Sequence, residues 1–307
     1  MSTTPVEEPV EKPVEPRPEA VQKHRRLPDW LAGNLLLLPT SVWFLVLLVI
    51  PTLVVIAYSL GQRGVITPIR FSWGHLVFSN YHTALNPRFL PIFWRSIWYS
   101  LVATIACVLL GFPVAYWIAR FAGRYRNVYL VLVIIPFLTS YLIRMYAWQF
   151  ILQRDGLLNT ALGAIGLGGN HIFLNTHFAV ILGLTYGFLP FMILPLYASI
   201  ERMDKSLVEA SYDLGHGKVS TLFRVIIPTV SPGLIAGILL VFIPAVGDFV
   251  TPQLLGGVRT QMFGNTVYDQ FSSGNNWPLG SAMSVLLMVF ILAGVFVYLW
   301  RVGEEAL

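Results

Sequence analysis

The sequence predicts an all-α, polytopic membrane protein with six transmembrane helices. Three observations carry this expectation. Of 307 residues, 56% are hydrophobic and only 11% are charged, far less charge than a water-soluble chain of this length carries. Apolar stretches of about 17–25 residues, the length needed to cross a bilayer, recur along the chain between polar loops. Lys and Arg gather in alternate loops, the asymmetry that sets the orientation of membrane proteins. The formal net charge of +5 invites a nucleic-acid reading, but the basic residues concentrate in the N-terminal tail and in loops on one side. The expected contact is therefore membrane lipid, with no nucleic acid. The single cysteine, Cys107, sits inside an apolar run, so no disulfide framework is available.

Taken in order, residues 1–33 form a tail rich in Pro, Glu and Val, with Pro5, Pro9, Pro13, Pro16 and Pro18. Such a segment cannot bury enough apolar surface to offset ordering and is expected to be disordered. Its end, Lys23 to Arg26, is basic, and the apolar stretch that follows is too long and too far in for a cleaved signal peptide. Residues 34–303 are the expected membrane domain, and 304–307 a short end. The first span covers Leu35 to Ser59 and contains Pro39 and Pro51. A polar loop runs from Arg63 to Arg95. The second span is Ile97 to Ala119, followed by a turn carrying Arg120, Arg124 and Arg126. The third, Val128 to Leu152, contains Arg144. A Gly- and Asn-rich loop, Arg154 to Asn175, leads to the fourth, Phe178 to Ile200. After a charged block at 201–228, the fifth begins near Gly233 and is interrupted by Pro244, Gly247 and Asp248. The stretch Thr251 to Asn276 reads as a loop, and the sixth span is Leu279 to Trp300. The basic count puts the tail, the 120–126 turn, the 201–228 block and Arg301 on one side. Both termini are thus expected to face the cytoplasm.

The block at 201–228 reads as two short helices around a glycine hinge. Ser206 and Glu209 have the spacing of a capping box. Leu207, Ala210, Ser211 and Leu214 fall on one small-to-apolar face. Gly215 follows as a residue that can take the left-handed conformation. His216, Gly217 and Lys218 make the turn, a second amphipathic piece runs from Val219 to Ile227, and Pro228 restarts the chain toward the membrane. On pattern alone this is either a connector at the membrane surface or a docking surface for a soluble partner. Gly215-His216-Gly217-Lys218 is no phosphate loop: Tyr212 stands where the first Gly is needed, and Val219 where Ser or Thr is needed. The six histidines show no metal-ligand spacing, and no Ser-His-Asp order or carboxylate pair stands out. No enzyme chemistry, metal or cofactor is expected.

Two ionisable residues fall within spans. A charge at the bilayer centre costs about 2.5–3.5 kcal/mol on insertion scales, so each needs protein or water around it. Arg144 either snorkels to the outer surface, or lines a cavity or forms an ion pair. Asp248 follows Pro244 and Gly247, and a helix broken at mid-depth points to a transport site; otherwise it is a solvated helix end. Tyr141, Trp148 and Tyr186 are either a cation-binding lining or ordinary packing. Asp248, Arg144, Tyr141 and Trp148 are the candidate substrate-path residues.

Glu209-Ala210-Ser211, three residues, Gly215, nine residues and Val225-Ile226-Ile227-Pro228 resemble the EAA loop of bacterial ABC-importer permeases, E-A-A, three residues, G, nine residues, I-x-L-P. Ser211, Val225 and Ile227 are the departures. Leu189–Tyr197, Leu142–Arg144 with Arg154–Asn159, Pro244–Gly257 and Asn276-Trp277-Pro278 are similar to the spermidine/putrescine permeases, and the resemblance covers Leu35 to Trp300. It implies a type I importer permease (MetI-like) fold in the bacterial inner membrane. It implies coupling to a cytoplasmic ABC ATPase dimer through Glu209, Ala210, Ser211, Gly215 and Pro228. It further implies a second, related permease subunit, an extracytoplasmic solute-binding protein and a polyamine solute. Gln253 stands where putrescine-type relatives often have an acid, which removes a potential amine partner. Iron(III), phosphonate and thiamine importers share the loop; an ATP-independent channel or membrane enzyme would lack it.

Overall fold

The computed structural model describes residues 29–64, 78–166 and 171–305. The tail up to residue 28, the part of the first loop that holds Arg70, and the last two residues lie outside them. Every regular element among the described residues is helical, as lipid requires: a helix satisfies its own backbone donors and acceptors. By internal contacts the chain divides into two units, Met1–Pro51 and Thr52–Leu307.

In the first unit, α1 (Asp29–Phe44) passes into a π-helical turn, Leu45–Val49, before α2 (Ile50–Ser59) begins. Pro51 has no N–H for the carbonyl four residues back, and the wider turn sits directly before it. The same arrangement recurs at Leu222–Ile226, directly before Pro228.

In the second unit, α3 (Ser79–Ala84) precedes α4 (Leu90–Arg120). Helix α4 starts seven residues earlier than the expected span because Pro91 opens its first turn. The third span, expected to be continuous from Val128 to Leu152, is broken. The pieces are α5 (Arg126–Ile134) with a 3₁₀ turn at Ile135–Leu138, then α6 (Tyr141–Leu152) and α7 (Leu157–Ala164). The axes on either side differ by 88°. Pro136 starts the 3₁₀ turn, and Thr139 and Ser140 are extended. Helix α8 (His177–Arg202) runs through Pro190 and Pro195 without a break, and Thr176 caps it by accepting from the Ala179 N–H at 3.2 Å.

The charged block folds as α9 (Ser206–Asp213), α10 (Lys218–Thr221), the second π turn and α11 (Ile227–Thr229). The chain then bends by 74° into α12 (Ser231–Gly247). The bend is at Val230, two residues beyond Pro228, where a restart was expected. Pro244 does not interrupt α12, which ends at Gly247. The stretch expected to be a loop, Thr251 to Asn276, holds most of α13 (Val250–Leu254), a 3₁₀ turn at Val258–Thr260 and α14 (Phe263–Phe271). Its apolar side chains are used in packing: Phe263 joins Ala84, Leu279 and Met283 in one buried cluster. Helix α15 (Trp277–Glu305) closes the fold. Among the described residues four helices are long and apolar enough to cross a membrane, and six if each bent pair counts as one.

The core is where α4, α8 and α12 meet. Cys107, Ala115 and Ile118 pack with Met192, Ile193, Leu196 and Ile200 and with Val241. Lipid gives helices no hydrophobic drive toward each other, so small residues that admit close backbones hold such a core. At Gly233 of α12 an added Cβ would lie 2.3 Å from the Ser199 Cβ and 2.6 Å from the Pro195 carbonyl oxygen of α8. Gly233→Val is therefore expected to destabilise the fold by about 1–3 kcal/mol through overpacking. Thermal unfolding of the detergent-solubilised protein measures it; an unchanged midpoint would mean that α8 and α12 are not held at this spacing.

Candidate functional site

The 201–228 block is a self-contained two-helix element. The expected capping box does not form: the Ser206 side chain makes no cap, and Asp204, two residues earlier, takes its place. Asp204 Oδ1 accepts from the Ser206 N–H at 3.0 Å. Hydrogen bonds from the Ser206 backbone and hydroxyl hold the Asp204 carboxyl below its usual value. The contribution of this cap is thus fully present at neutral pH, and it is lost only as pH falls through the lowered value. The far end of α9 closes by a Schellman motif. The His216 N–H bonds the Ser211 carbonyl at 3.1 Å and the Gly215 N–H bonds the Tyr212 carbonyl at 2.8 Å. Gly215 has φ +80°, the left-handed conformation this motif needs.

The face drawn from helical spacing separates in three dimensions. Leu207, Glu209, Ala210 and Leu214 are exposed, while Ser211 turns inward. Its hydroxyl lies 2.9 Å from that of Thr221, and this buried pair joins α9 to α10. Ser211, in place of the motif's second Ala, is therefore a staple. Gly215 and Pro228 are exposed, as are Leu214 (79%), Val219 (70%) and Phe223 (63%). These large apolar side chains are uncovered on the most charged described segment.

The second constellation lies where the two broken helices meet. Asp248 follows the end of α12 and is buried. Its Oδ1 accepts from the Val250 N–H at 2.9 Å, so it caps α13. Its Oδ2 accepts from the Tyr141 hydroxyl at 2.8 Å and from the Thr251 hydroxyl. Asp248 is thus neither a solvated helix end nor an unpartnered carboxylate. Tyr141, on the first turn of α6, also places its hydroxyl 2.5 Å from Thr251 Oγ1.

Arg144, one turn further along α6, is 8% exposed. It does not snorkel. Its guanidinium lies over the rings of Phe137, Tyr141 and Tyr186, with centroid distances of 4.3, 5.4 and 5.9 Å. Its Nε and Nη1 are buried and have no hydrogen-bond partner among the described residues. Arg144 and Asp248 form no ion pair there; Tyr141 stands between them, ring toward one and hydroxyl on the other. The aromatic group expected to line a cation site thus holds the chain's own cation. Trp148 packs edge-on against Tyr186 at 5.4 Å and does not reach Arg144.

Sequence reading missed Phe137 and Thr251. The signal for the first was Pro136 followed by Thr139-Ser140, a proline and then helix-starting residues, which marks a break. Gln253, an exposed residue where an acid was looked for, has its Oε1 taken by Asn265 Nδ2 at 3.1 Å. His177 is exposed at the start of α8, and its Nδ1 meets the Tyr99 hydroxyl of α4.

Tyr141→Phe keeps the ring beside Arg144 and removes the hydroxyl from Asp248. A buried hydrogen bond to a charged group contributes about 1.5–3 kcal/mol, so the variant is expected to lose stability of that order. A thermal shift in detergent reads it, and a wild-type midpoint would show that this bond does not tie α6 to α12.

Comparison with known proteins gives the family. Residues 108–302 match the family described as binding-protein-dependent transport system inner membrane component. The chain is 42% identical over 257 residues to the spermidine/putrescine transport system permease protein PotB of Haemophilus influenzae, covering 83% of this chain and 89% of that one. To PotB of Escherichia coli it is 39% identical over 265 residues, covering 85% and 94%. Among solved structures, a bacterial ABC transporter that imports alginate matches with a TM-score of 0.63 at 20% identity, over 90% of this chain and 96% of that one. That likeness reports the fold, the type I permease architecture. The chain therefore belongs to the binding-protein-dependent transport system inner membrane components, as a multi-pass permease subunit of an ABC importer and not an enzyme.

Proposed function

We propose that this permease passes polyamines inward, in a complex with a cytoplasmic ABC ATPase dimer, a second permease subunit and an extracytoplasmic solute-binding protein. The observation that carries the coupling half is the uncovered apolar ridge of Leu207, Leu214, Val219 and Phe223 on the capped two-helix loop. Such a ridge fits a soluble ATPase, and in this reading the loop and both termini face the cytoplasm. The solute class is supported by the relatives, named for spermidine and putrescine. Glu209, Ala210, Ser211, Gly215 and Pro228 are the coupling residues in this reading. Tyr141, Arg144, Trp148 and Asp248 belong to the substrate path, at the junction of the broken helices.

Uptake of labelled spermidine by the assembled transporter in vesicles tests the solute. Uptake of iron(III), phosphonate or thiamine in its place would move the solute assignment and leave the coupling role standing. Gly215→Val forces a β-branched residue toward left-handed backbone, a strain of about 1–2 kcal/mol. It is expected to cut uptake while the protein stays in the membrane. Wild-type uptake and ATPase activity in that variant would remove the hinge role. Asp248→Asn removes charge and keeps shape. It is expected to lower spermidine uptake at limiting substrate without changing the amount of ATPase that co-purifies; equal uptake would leave Asp248 only its capping role.

A further inference from the structure

We propose that the turn joining α4 to α5 is a brace that carries motion of the 204–228 loop into α5, with Arg120 as its positioning residue. This rests on the coupling reading above. Arg120 is the last residue of α4, and its Nη2 donates to the Met203 carbonyl at 2.7 Å. Met203 ends α8 and immediately precedes Asp204, the cap of α9. Arg120 therefore grips the loop at its root. Arg126, which opens α5, reaches the same turn of α8: its Nη1 lies 2.5 Å from Glu201 Oε1.

The apolar packing beneath has the same layout. Ile118 and Ala122 from the end of α4 share one buried cluster with Ile200 and Met203, where the loop begins, and with Ile226 and Val230, where it ends. Both ends of the loop thus stand on the α4–α5 corner. From that corner α5 runs to the 3₁₀ turn at Ile135–Leu138, whose Phe137 covers Arg144. A displacement at Met203 is handed through this corner to the helix that bears one wall of the Arg144 enclosure.

The two arginines are not equal. Arg126 and Glu201 are 52% and 37% exposed at the side chain, and exposed pairs contribute little. Arg120 is half-buried and sits on the carbonyl ends of both α4 and α8, where a cation is favoured.

The experiment reads spermidine taken up per ATP hydrolysed, with the complete transporter in proteoliposomes, alongside the amount of ATPase bound. Arg120→Met is expected to lower this ratio roughly three- to thirtyfold, the range of mutations along a coupling route, with wild-type ATPase binding. Arg120→Lys, which keeps a donor near Met203, is expected to recover part of the ratio. Arg126→Gln is expected to change it about twofold or less. A wild-type ratio in Arg120→Met overturns the brace. So does a parallel fall of uptake, hydrolysis and bound ATPase, which would make Arg120 only a structural anchor. Failure of the coupling reading itself appears elsewhere, as a wild-type complex that binds no ATPase or takes up no spermidine.

Discussion

The carboxylate of Asp248 is what lets the chain restart as a helix just after a membrane helix stops at Gly247. A helix that ends in an apolar surrounding frees backbone groups that must find partners within the protein. Here Asp248 takes the first N–H groups of α13, and the Asn265 side chain donates to the Phe249 carbonyl at 2.8 Å. Gly264 brings α14 close enough for this; a Cβ there would lie 2.6 Å from the Gly247 carbonyl oxygen. The break is a built junction, with α14 as its support.

Tyr141 ties this junction to the other break. Its hydroxyl meets Asp248, and its ring faces Arg144. The two intramembrane charges are thereby kept near each other without forming an ion pair. A buried unpaired guanidinium is costly, and aromatic faces offset part of that cost. The arrangement leaves two Arg144 nitrogens unpartnered among the described residues.

At the other end of the core, the 204–228 loop is held together for different reasons. Its first helix is capped at both ends, by Asp204 and by the Schellman turn at Gly215, and the Ser211–Thr221 pair joins it to the second. Between loop and junction run α4, α8 and α12, held close by small residues. An element tied together in this way and standing on a closely packed core suits the coupling role proposed for it.

The sequence by itself determined the class of the protein and its apolar segments. These depend on composition, length and short-range spacing, which do not need a partner to be read. The left-handed Gly215 was legible too, because a helix C-terminus is a local event. Tertiary structure decided what local pattern leaves open. Ser206 and Glu209 had the spacing of a capping box, but Asp204 takes the Ser206 N–H and the Glu209 N–H goes to the Lys205 carbonyl. Val128–Leu152 had the length of one span, yet Pro136 and two extended residues turned it by 88°. The surroundings of Arg144 and Asp248 were beyond reach because the Arg144 enclosure draws on α6, α8 and the 3₁₀ turn before α6, while the Asp248 bonds come from α6 and α13. Whether a buried charge is paired, caged or capped depends on side chains distant in the chain, and only folding brings those together.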